Sequence, residues 1–267
     1  MSELAFKPEF EIKDKSAISQ AFSKAAASYD KHAAFQRDVG HRLLQKLPAD
    51  LTGLRVLDLG CGTGYFSHQL KCLGATVVCA DLSPAMLEQA QLRCGDDAMT
   101  YVLADAESLP FSDGDFDIVF SSLALQWCDD LSVPLSEIRR VLKPLGRAYF
   151  STLLDGSLIE LKRSWAKIDF HQHVNDFISF NQVKIALAQA EISKHHLNSP
   201  SMIVWYDTAF ELMRDLKGIG ANHIHSRTQG LTGRRALTRV EQAYEQFRSQ
   251  QGSLPATYQV CLGVIYR

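Results

Sequence analysis

Apolar residues recur in two patterns that predict helices and strands along most of this chain. Phe35, Val39, Leu43 and Leu47 are spaced by four, which predicts one apolar helical stripe within residues 16–47. Short and nearly continuous apolar runs predict buried strands. These runs are residues 54–59, 76–80, 100–104, 116–121, 147–154, 202–206 and 258–266. Because helical runs separate most of them, the sequence predicts an α/β fold with a mostly parallel sheet and helices on both faces.

The alternation is interrupted after Gly156. Two predicted helices, residues 157–169 and 181–191, delay the next strand. A chain of this length can form one large domain with a sizeable insertion. The predicted organisation is an N-terminal helical cap at 1–48 and one domain at 49–267 with a helical insertion at about 155–200.

The first predicted strand leads into a glycine-rich loop. Gly60, Gly62 and Gly64 follow the strand, and a helix is predicted to begin near Thr63, so backbone N–H groups and a helix N-terminus meet at one sheet edge. Glycine suits positions where a Cβ would block a ligand or where φ is positive. Asp58 stands two residues before the first glycine, and its carboxylate would repel a dinucleotide pyrophosphate. A ligand with an ammonium and a sulfonium would be attracted, which favours S-adenosylmethionine.

Acidic residues also follow the second and third predicted strands. The Asp81 carboxylate can accept hydrogen bonds from both ribose hydroxyls, and that of Asp105 can accept one from the amino group of an adenine ring. The backbone N–H of Ala106 offers a donor to a ring nitrogen, while Leu82 and Met86 would flank the adenine faces. Any single acid could instead cap a helix. Acids at successive strand ends describe a nucleoside pocket, because open α/β sheets bind ligands there.

The composition excludes several other classes of protein. A net charge of −2 over 267 residues disfavours general nucleic-acid binding. The six cysteines include no Cys-x-x-Cys pair, so we expect reduced thiols and no metal site. The N-terminus lacks the apolar core of a signal peptide, and no apolar run is long enough for a membrane helix. The sequence predicts a cytoplasmic protein that binds no membrane.

These motifs resemble those of class I S-adenosylmethionine-dependent methyltransferases. The resemblance is carried by DLGCGTG at residues 58–64, by Asp81, by LADAESLPF at 103–111 and by FDIVFSSLALQW at 116–127. It implies a Rossmann-like sheet of seven strands with an antiparallel final hairpin, and S-adenosylhomocysteine as the product. The residues that the sequence assigns to the cofactor are Gln36, Asp58, Gly60, Cys61, Gly62, Gly64, Asp81, Leu82, Met86, Asp105, Ala106, Glu107 and Ser121.

A second set of motifs covers nearly the whole chain. It consists of Phe22, Tyr29-Asp30, SSLALQWCDD at 121–130, LKGIGANH at 216–223 and LTGRRALTRVEQAYEQFR at 231–248. These are similar to motifs of the malonyl-acyl-carrier-protein O-methyltransferases of biotin synthesis. That resemblance implies methyl transfer to the free carboxylate of a malonyl thioester, on acyl carrier protein or coenzyme A. One departure is Leu145, where such enzymes commonly have a second glycine.

The implied reaction needs little acid–base help, because a malonyl carboxylate is ionised at neutral pH. We expect a cation to hold that carboxylate, and the candidates are Lys217, His223 and one of the arginines. Tyr29 could hydrogen-bond near the methyl donor, or it could be a partly buried tyrosine of the cap. Gln126 and Trp127 are expected to form the wall on the substrate side, with a packing role as the alternative.

Residues 217–240 contain no acidic residue and concentrate basic side chains. Because acyl carrier proteins are acidic, we assign carrier contacts to Arg227, Arg234, Arg235 and Arg239. The alternative is a solvated basic loop followed by the start of a helix. Nucleic-acid binding is disfavoured, because no aromatic residues lie between the basic ones. Two other functions stay open. One is methylation of a small molecule such as a quinone-precursor ring, and the other is sensing of S-adenosylmethionine without turnover.

Overall fold

Eight strands form one open sheet through the part of the chain that the computed structural model describes, residues 15–221 and 233–267. The strands are β1 Arg55–Leu59, β2 Thr76–Asp81, β3 Met99–Leu103, β4 Phe116–Ser122, β5 Leu142–Leu154, β6 His195–Asn198, β7 Ser201–Tyr206 and β8 Leu254–Tyr266. Their order is β3-β2-β1-β4-β5-β8-β6, and β7 also pairs with β8. The strands from β3 to β5 are parallel, so their carboxyl ends meet at one edge.

Helices cover both faces of this sheet. They are α1 Lys15–Ala25, α2 Tyr29–His32, α3 Ala34–Leu44, α4 Tyr65–Cys72, α5 Pro84–Cys94, α6 Ser132–Val141, α7 Ile159–Trp165, α8 Phe180–Gln189, α9 Ala209–Gly218 and α10 Arg234–Tyr244. Buried side chains of α3, α4, α7 and α9 pack in one core cluster, and those of α6 and α8 pack in the other. The predicted α/β class with helices on both faces is confirmed.

The antiparallel edge has one strand more than the sequence predicts. β8 pairs with β5 along residues 259–266, and its other side pairs with two short strands. β7 pairs with residues 254–259 of β8, and β6 pairs with residues 262–265. The apolar pattern misses β6 because its sequence, HHLN, contains a single apolar residue.

β5 begins earlier than predicted. Leu142 already pairs with Phe116, and an irregularity in register follows before Arg147 joins the ladder. Within this irregular segment Leu145 has a φ of 68° and a side chain that is 90% exposed. A left-handed backbone favours glycine because Cβ crowds the carbonyl oxygen. The departure at Leu145 is therefore a locally strained position on the surface.

Replacing Leu145 with glycine should stabilise the protein. Relief of the left-handed strain outweighs the entropy that glycine adds to the unfolded chain, so we expect a gain of roughly 0.5–1 kcal/mol in unfolding free energy. Chemical denaturation measures this quantity. Leu145→Ala is the matched control, since alanine retains a Cβ and should give no gain. An equal gain for both variants would show that the exposed leucine side chain, not the backbone, is the source.

α1 and α2 lie over the carboxyl edge of the sheet, whereas α3 belongs to the core. The Ser19 hydroxyl of α1 donates to the Leu82 carbonyl beyond β2, at 2.9 Å. In α3 the buried Phe35 ring stacks on Tyr258 of β8, with centroids 3.9 Å apart. Within the predicted cap at 1–48, the described covering part is therefore α1 and α2, and residues 1–14 lie outside the described residues.

The predicted insertion at about 155–200 contributes to both layers. α7 packs against α10 and β8, and α8 packs against α6 on the opposite face. Residues 166–179 connect the two helices, and His173 and Asn175 of this connection line a cavity next to Tyr29. The insertion therefore supplies part of a pocket wall as well as helices that cover the sheet.

Candidate active site

Three adjoining cavities lie at the carboxyl edge of the parallel strands. The first, which we call the strand-end cavity, lies between α1 and the ends of β1 to β4. Together with the open space at its mouth it spans about 760 Å³. Of the residues assigned to the cofactor, it is lined by Gly60, Gly62, Asp81, Leu82, Met86, Asp105 and Ala106. The sequence thus brings these residues into one pocket.

The three loop glycines have positive φ, but they serve different contacts. A Cβ on Gly60 would lie 2.3 Å from the Ala124 Cβ, and one on Gly64 would lie 2.8 Å from the Ala90 Cα. Gly62 has a φ of 53° and no protein atom within 4 Å of its Cβ position. Gly64 is therefore required by packing of the loop against α5, whereas Gly62 leaves open space where a ligand backbone contact is possible.

Asp81 is held by the glycine loop and by the start of α5. Its Oδ2 accepts from the Gly62 N–H and its Oδ1 accepts from the Ser83 N–H, both at 2.8 Å. Burial raises the pKa of the Asp81 carboxyl, although these backbone hydrogen bonds act in the opposite direction. Each oxygen keeps a further lone pair, so the carboxylate is oriented and can still accept hydroxyl groups.

Asp105 has an ionic partner that sequence reasoning missed. The Lys15 ammonium of α1 lies 2.5 Å from Asp105 Oδ2 and also pairs with Glu107. Glu107 does not line the strand-end cavity; its Oε1 accepts from the backbone N–H of Asp129 and Asp130. Glu107 therefore links α1 to the segment after β4.

Asp58 lines the second cavity, which we call the loop cavity and which lies between the glycine loop, α2 and α3. The Asp58 side chain is 2% exposed, and its Oδ2 accepts from the Ser67 hydroxyl at 2.5 Å. Burial raises the pKa of Asp58 to about 7, and the nearby Asp81 charge acts in the same direction. No cationic side chain of the described chain pairs with this carboxylate, so it suits a ligand ammonium.

Gln36 and Arg37 also line the loop cavity. The Gln36 Oε1 is buried without a hydrogen-bond partner among the described residues. Arg37 donates through Nη1 to the Asp30 carbonyl at 2.7 Å and lies over the Tyr65 ring, 5.8 Å from its centroid. The sequence makes Gln36 a candidate for the cofactor's carboxylate. An unpaired amide oxygen suits an ammonium and a guanidinium suits a carboxylate, so the neighbouring Arg37 is suited to that carboxylate.

The third cavity, which we call the apolar cavity, lies beyond Tyr29 and Trp127. Its apolar lining residues are Phe22, Phe35, Leu123, Trp127, Leu153, Leu158, Val174, Phe177, Leu216, Ile219, Ala221 and Tyr258. Its polar lining consists of Tyr29, Gln36, Gln126, His173 and Asn175. The described residues that line this cavity include no lysine or arginine, and the candidate cations His223 and Arg227 lie outside the described residues. The cavity offers hydrogen-bond donors and acceptors within an aromatic wall.

Tyr29 and Trp127 stand between these cavities. Tyr29 lines all three, and Trp127 lines the strand-end and apolar cavities. The Trp127 ring meets Phe22 edge to face, with centroids 5.2 Å apart. Burial, with help from the Asp81 and Asp30 charges, raises the pKa of Tyr29 above its usual value. Tyr29 therefore stays protonated and can donate a hydrogen bond at the junction.

The remaining predicted residues differ in where they lie. The Ser121 hydroxyl is buried and donates to the Leu59 carbonyl at 2.9 Å; its neighbour Ser122 lines the strand-end and loop cavities instead. Cys61 lines the loop cavity, and Lys217 faces a surface groove between α1 and α9. The Arg235 and Arg239 side chains are exposed on α10, which begins at Arg234. His223 and Arg227 lie outside the described residues.

The strand-end and loop cavities fit S-adenosylmethionine. A buried carboxylate without a cationic partner among the described residues, an oriented Asp81 and an open face at Gly62 match its ammonium, ribose and main-chain contacts. The YcgJ protein of Bacillus subtilis superposes with a TM-score of 0.59 at 19% identity, over 86% of this chain and 98% of its own. The methyltransferase-domain family matches residues 57–150. Fold and site together define a class I S-adenosylmethionine-dependent methyltransferase.

More similar relatives extend the match over nearly the whole chain. A malonyl-[acyl-carrier protein] O-methyltransferase of Yersinia pestis is 45% identical over 95% of this chain and 92% of its own length. A biotin biosynthesis bifunctional protein BioHC of Cellvibrio japonicus is 43% identical over 92% of this chain and 49% of its own length. The chain belongs to the malonyl-[acyl-carrier protein] O-methyltransferase family.

Residues 15–221 and 233–267 lack two further features. No helix there combines the length and apolarity needed to cross a bilayer. No cluster of histidine, cysteine and acidic side chains there is arranged to hold a metal ion.

Proposed function

We propose that this protein transfers a methyl group from S-adenosylmethionine to the free carboxylate of a malonyl thioester on acyl carrier protein. The names of its relatives support this acceptor. The observation that carries the proposal is the shared wall of the apolar and strand-end cavities, formed by Phe22, Tyr29, Leu123 and Trp127. An acceptor that enters the apolar cavity reaches the cofactor at this wall, where neutral groups leave a carboxylate nucleophilic.

S-adenosylmethionine, when bound, supplies an electrophilic methyl group on a sulfonium centre. Asp81 would accept the ribose hydroxyls, and Asp105 would accept the adenine amino group beside Lys15. Asp58 and Gln36 would hold the ammonium of the amino-acid end, and Arg37 would hold its carboxylate. The protein then contributes mainly alignment and exclusion of water, because the acceptor carboxylate is already ionised.

The amides of the apolar cavity would orient the acceptor. The Gln126 Nε2 donates to the Leu123 carbonyl at 2.7 Å, which fixes the side chain and leaves its buried Oε1 without a partner among the described residues. An unpaired buried oxygen is costly unless a ligand donor reaches it. The amide N–H groups of a phosphopantetheine arm are such donors. Tyr29, which stays protonated, would donate to the acceptor carboxylate at the junction.

A second candidate acceptor is a phenol or an activated ring carbon. His173 lines the apolar cavity, its Nε2 lies 2.8 Å from Asp169 Oδ1, and its ring stacks on Trp165 with centroids 3.6 Å apart. A histidine oriented by a carboxylate can act as the base that such an acceptor needs. The aromatic wall of the cavity would also suit a planar ring.

Acceptor competition separates these functions. The purified protein is incubated with methyl-labelled S-adenosylmethionine and malonyl carrier protein, acetyl carrier protein or a quinone-precursor phenol. We expect label on the malonyl carrier alone, because acetyl lacks the free carboxylate. Label on the phenol with none on the malonyl carrier would establish the second candidate. Tight binding of S-adenosylmethionine with no labelled product from any acceptor would instead indicate a sensor.

A further inference from the structure

A basic groove runs along the surface between α1 and α9. Its floor is formed by the small residues Ala17, Ala21, Ala25 and Gly218. One rim carries Lys24 of α1, and the other carries Arg214 and Lys217 of α9. None of the described residues that line this groove is acidic. The arrangement is a positively charged channel on a protein whose net charge is −2.

The charges of the basic groove are largely unmatched. Lys24 and Lys217 form no ion pair with any carboxylate of the described chain. Arg214 is 67% exposed, and its nearest carboxylate is the Glu211 Oε1 at 3.9 Å, a loose surface pair. The other acid nearby, Asp215, is engaged by His32, whose Nδ1 lies 2.7 Å from Asp215 Oδ1. The groove therefore presents cations that a partner's carboxylates or phosphates can contact.

The wall between the basic groove and the apolar cavity is thin. In α1, Ala21 faces the groove and Phe22 faces the cavity; in α9, Lys217 faces the groove and Leu216 faces the cavity. A Cβ on Gly220 would lie 3.0 Å from the Ala21 carbonyl oxygen, so the two segments touch through their backbones. A partner seated in the groove would therefore be one helix thickness away from the acceptor site.

We propose that the basic groove docks the acidic surface of the acyl carrier protein, and that the neighbouring apolar cavity receives its phosphopantetheine arm. This inference rests on the proposed function and adds the surface that distinguishes a carrier from a free thioester. Charge complementarity selects the occupant, because a carrier protein is acidic around its arm and the groove is basic without internal neutralisation. The sequence predicts that Lys217 holds the malonyl carboxylate. In this proposal Lys217 would instead contact the surface of the carrier protein.

Charge reversal in the groove tests the proposal. In the full-length protein, Lys24→Glu combined with Arg214→Glu should raise KM for malonyl carrier protein on the order of tenfold, with little change in kcat. KM for malonyl-pantetheine, which lacks the protein surface, should not change. Biolayer interferometry with immobilised malonyl carrier should show the same loss in affinity, and the wild-type affinity should fall with added salt. Lys46→Glu, at an exposed turn just after α3 and outside the cavities and the groove described above, is the matched control.

Two results would overturn the proposal, and they differ. If the wild type methylates malonyl carrier and the double variant keeps its affinity and KM, the groove is not the docking surface although the function stands. If the wild type neither binds nor methylates malonyl carrier, both inferences fail. An unchanged affinity for S-adenosylmethionine shows that the fold of a variant is intact. The neutral pair Lys24→Gln with Arg214→Gln should also lose affinity for the carrier, but by less than the charge-reversed pair.

Discussion

An Asp58→Asn variant is expected to bind S-adenosylmethionine about a hundredfold or more weakly at about pH 8, while its affinity for 5′-methylthioadenosine changes little. Asp58 is 2% exposed and lines the loop cavity, where the ligand ammonium would be its cationic partner. 5′-Methylthioadenosine has no amino-acid end and does not use this carboxylate. Asparagine is nearly isosteric and can still accept from the Ser67 hydroxyl. Isothermal titration calorimetry with both ligands measures the contrast.

The same carboxylate makes binding depend on pH. Burial raises the Asp58 pKa to about 7 from an ordinary 3.8, so the ligand-free fold favours the protonated acid. A raised pKa contributes stability that is present below about pH 4 and is lost as the pH rises through about 7. A bound ammonium lowers that pKa again. Binding should therefore release a proton near pH 6 and weaken as the pH falls below about 7.

Calorimetry at about pH 6 in two buffers with different ionisation enthalpies measures the released proton. Asp58→Asn should abolish the release, and Asp38→Asn, which removes the same charge from an exposed site on α3, should not. If Asp58→Asn keeps the wild-type affinity, or if both ligands weaken equally, the carboxylate does not contact the amino-acid end.

Asp81→Ala is expected to weaken S-adenosylmethionine and 5′-methylthioadenosine alike, by on the order of 2 kcal/mol. Asp81 lines the strand-end cavity, and its two oxygens are oriented by the N–H groups of Gly62 and Ser83. Both ligands contain the ribose that this carboxylate would bind. Removal of the side chain also releases Gly62, so the glycine loop loses part of its support. Substitution of Asp58 is thus expected to weaken one of the two ligands, and substitution of Asp81 both, in the same assay.

Asp81→Asn keeps the shape of the side chain and is the companion variant. It should lose less affinity than Asp81→Ala, because one amide oxygen can still accept a hydroxyl. Unchanged affinity for 5′-methylthioadenosine in Asp81→Ala would remove the ribose assignment. A loss confined to S-adenosylmethionine would place Asp81 at the amino-acid end instead.

The carboxyl ends of the parallel strands were predictable because buried strands have a strong local pattern. Asp58, Asp81 and Asp105 each follow an apolar run, and topology alone then gathers them at one edge. The two serines at the end of β4 are harder to tell apart from the sequence. Adjacent strand residues face opposite sides, and here the Ser121 hydroxyl donates to the Leu59 carbonyl while Ser122 lines the strand-end cavity.

Contacts between distant segments could not be obtained in the same way. Lys15 lies 90 residues from Asp105 in sequence, and no local pattern links them. The position of Lys217 depends on the rotational phase of α9. Leu216 of this helix and Ile219 just after it line the apolar cavity, and Lys217 therefore lies on the groove side. Arg37 follows Gln36 directly, and the sequence does not show that both side chains line the loop cavity.

The position of the transferred methyl group tests the central claim most directly. Malonyl carrier protein is incubated with the protein and S-adenosylmethionine, and its intact mass is measured before and after treatment with a carboxylesterase. We predict the addition of a single methyl group that the esterase removes, with acetyl carrier protein unchanged. A methyl group that resists the esterase, or equal methylation of acetyl carrier protein, would contradict transfer to the malonyl carboxylate.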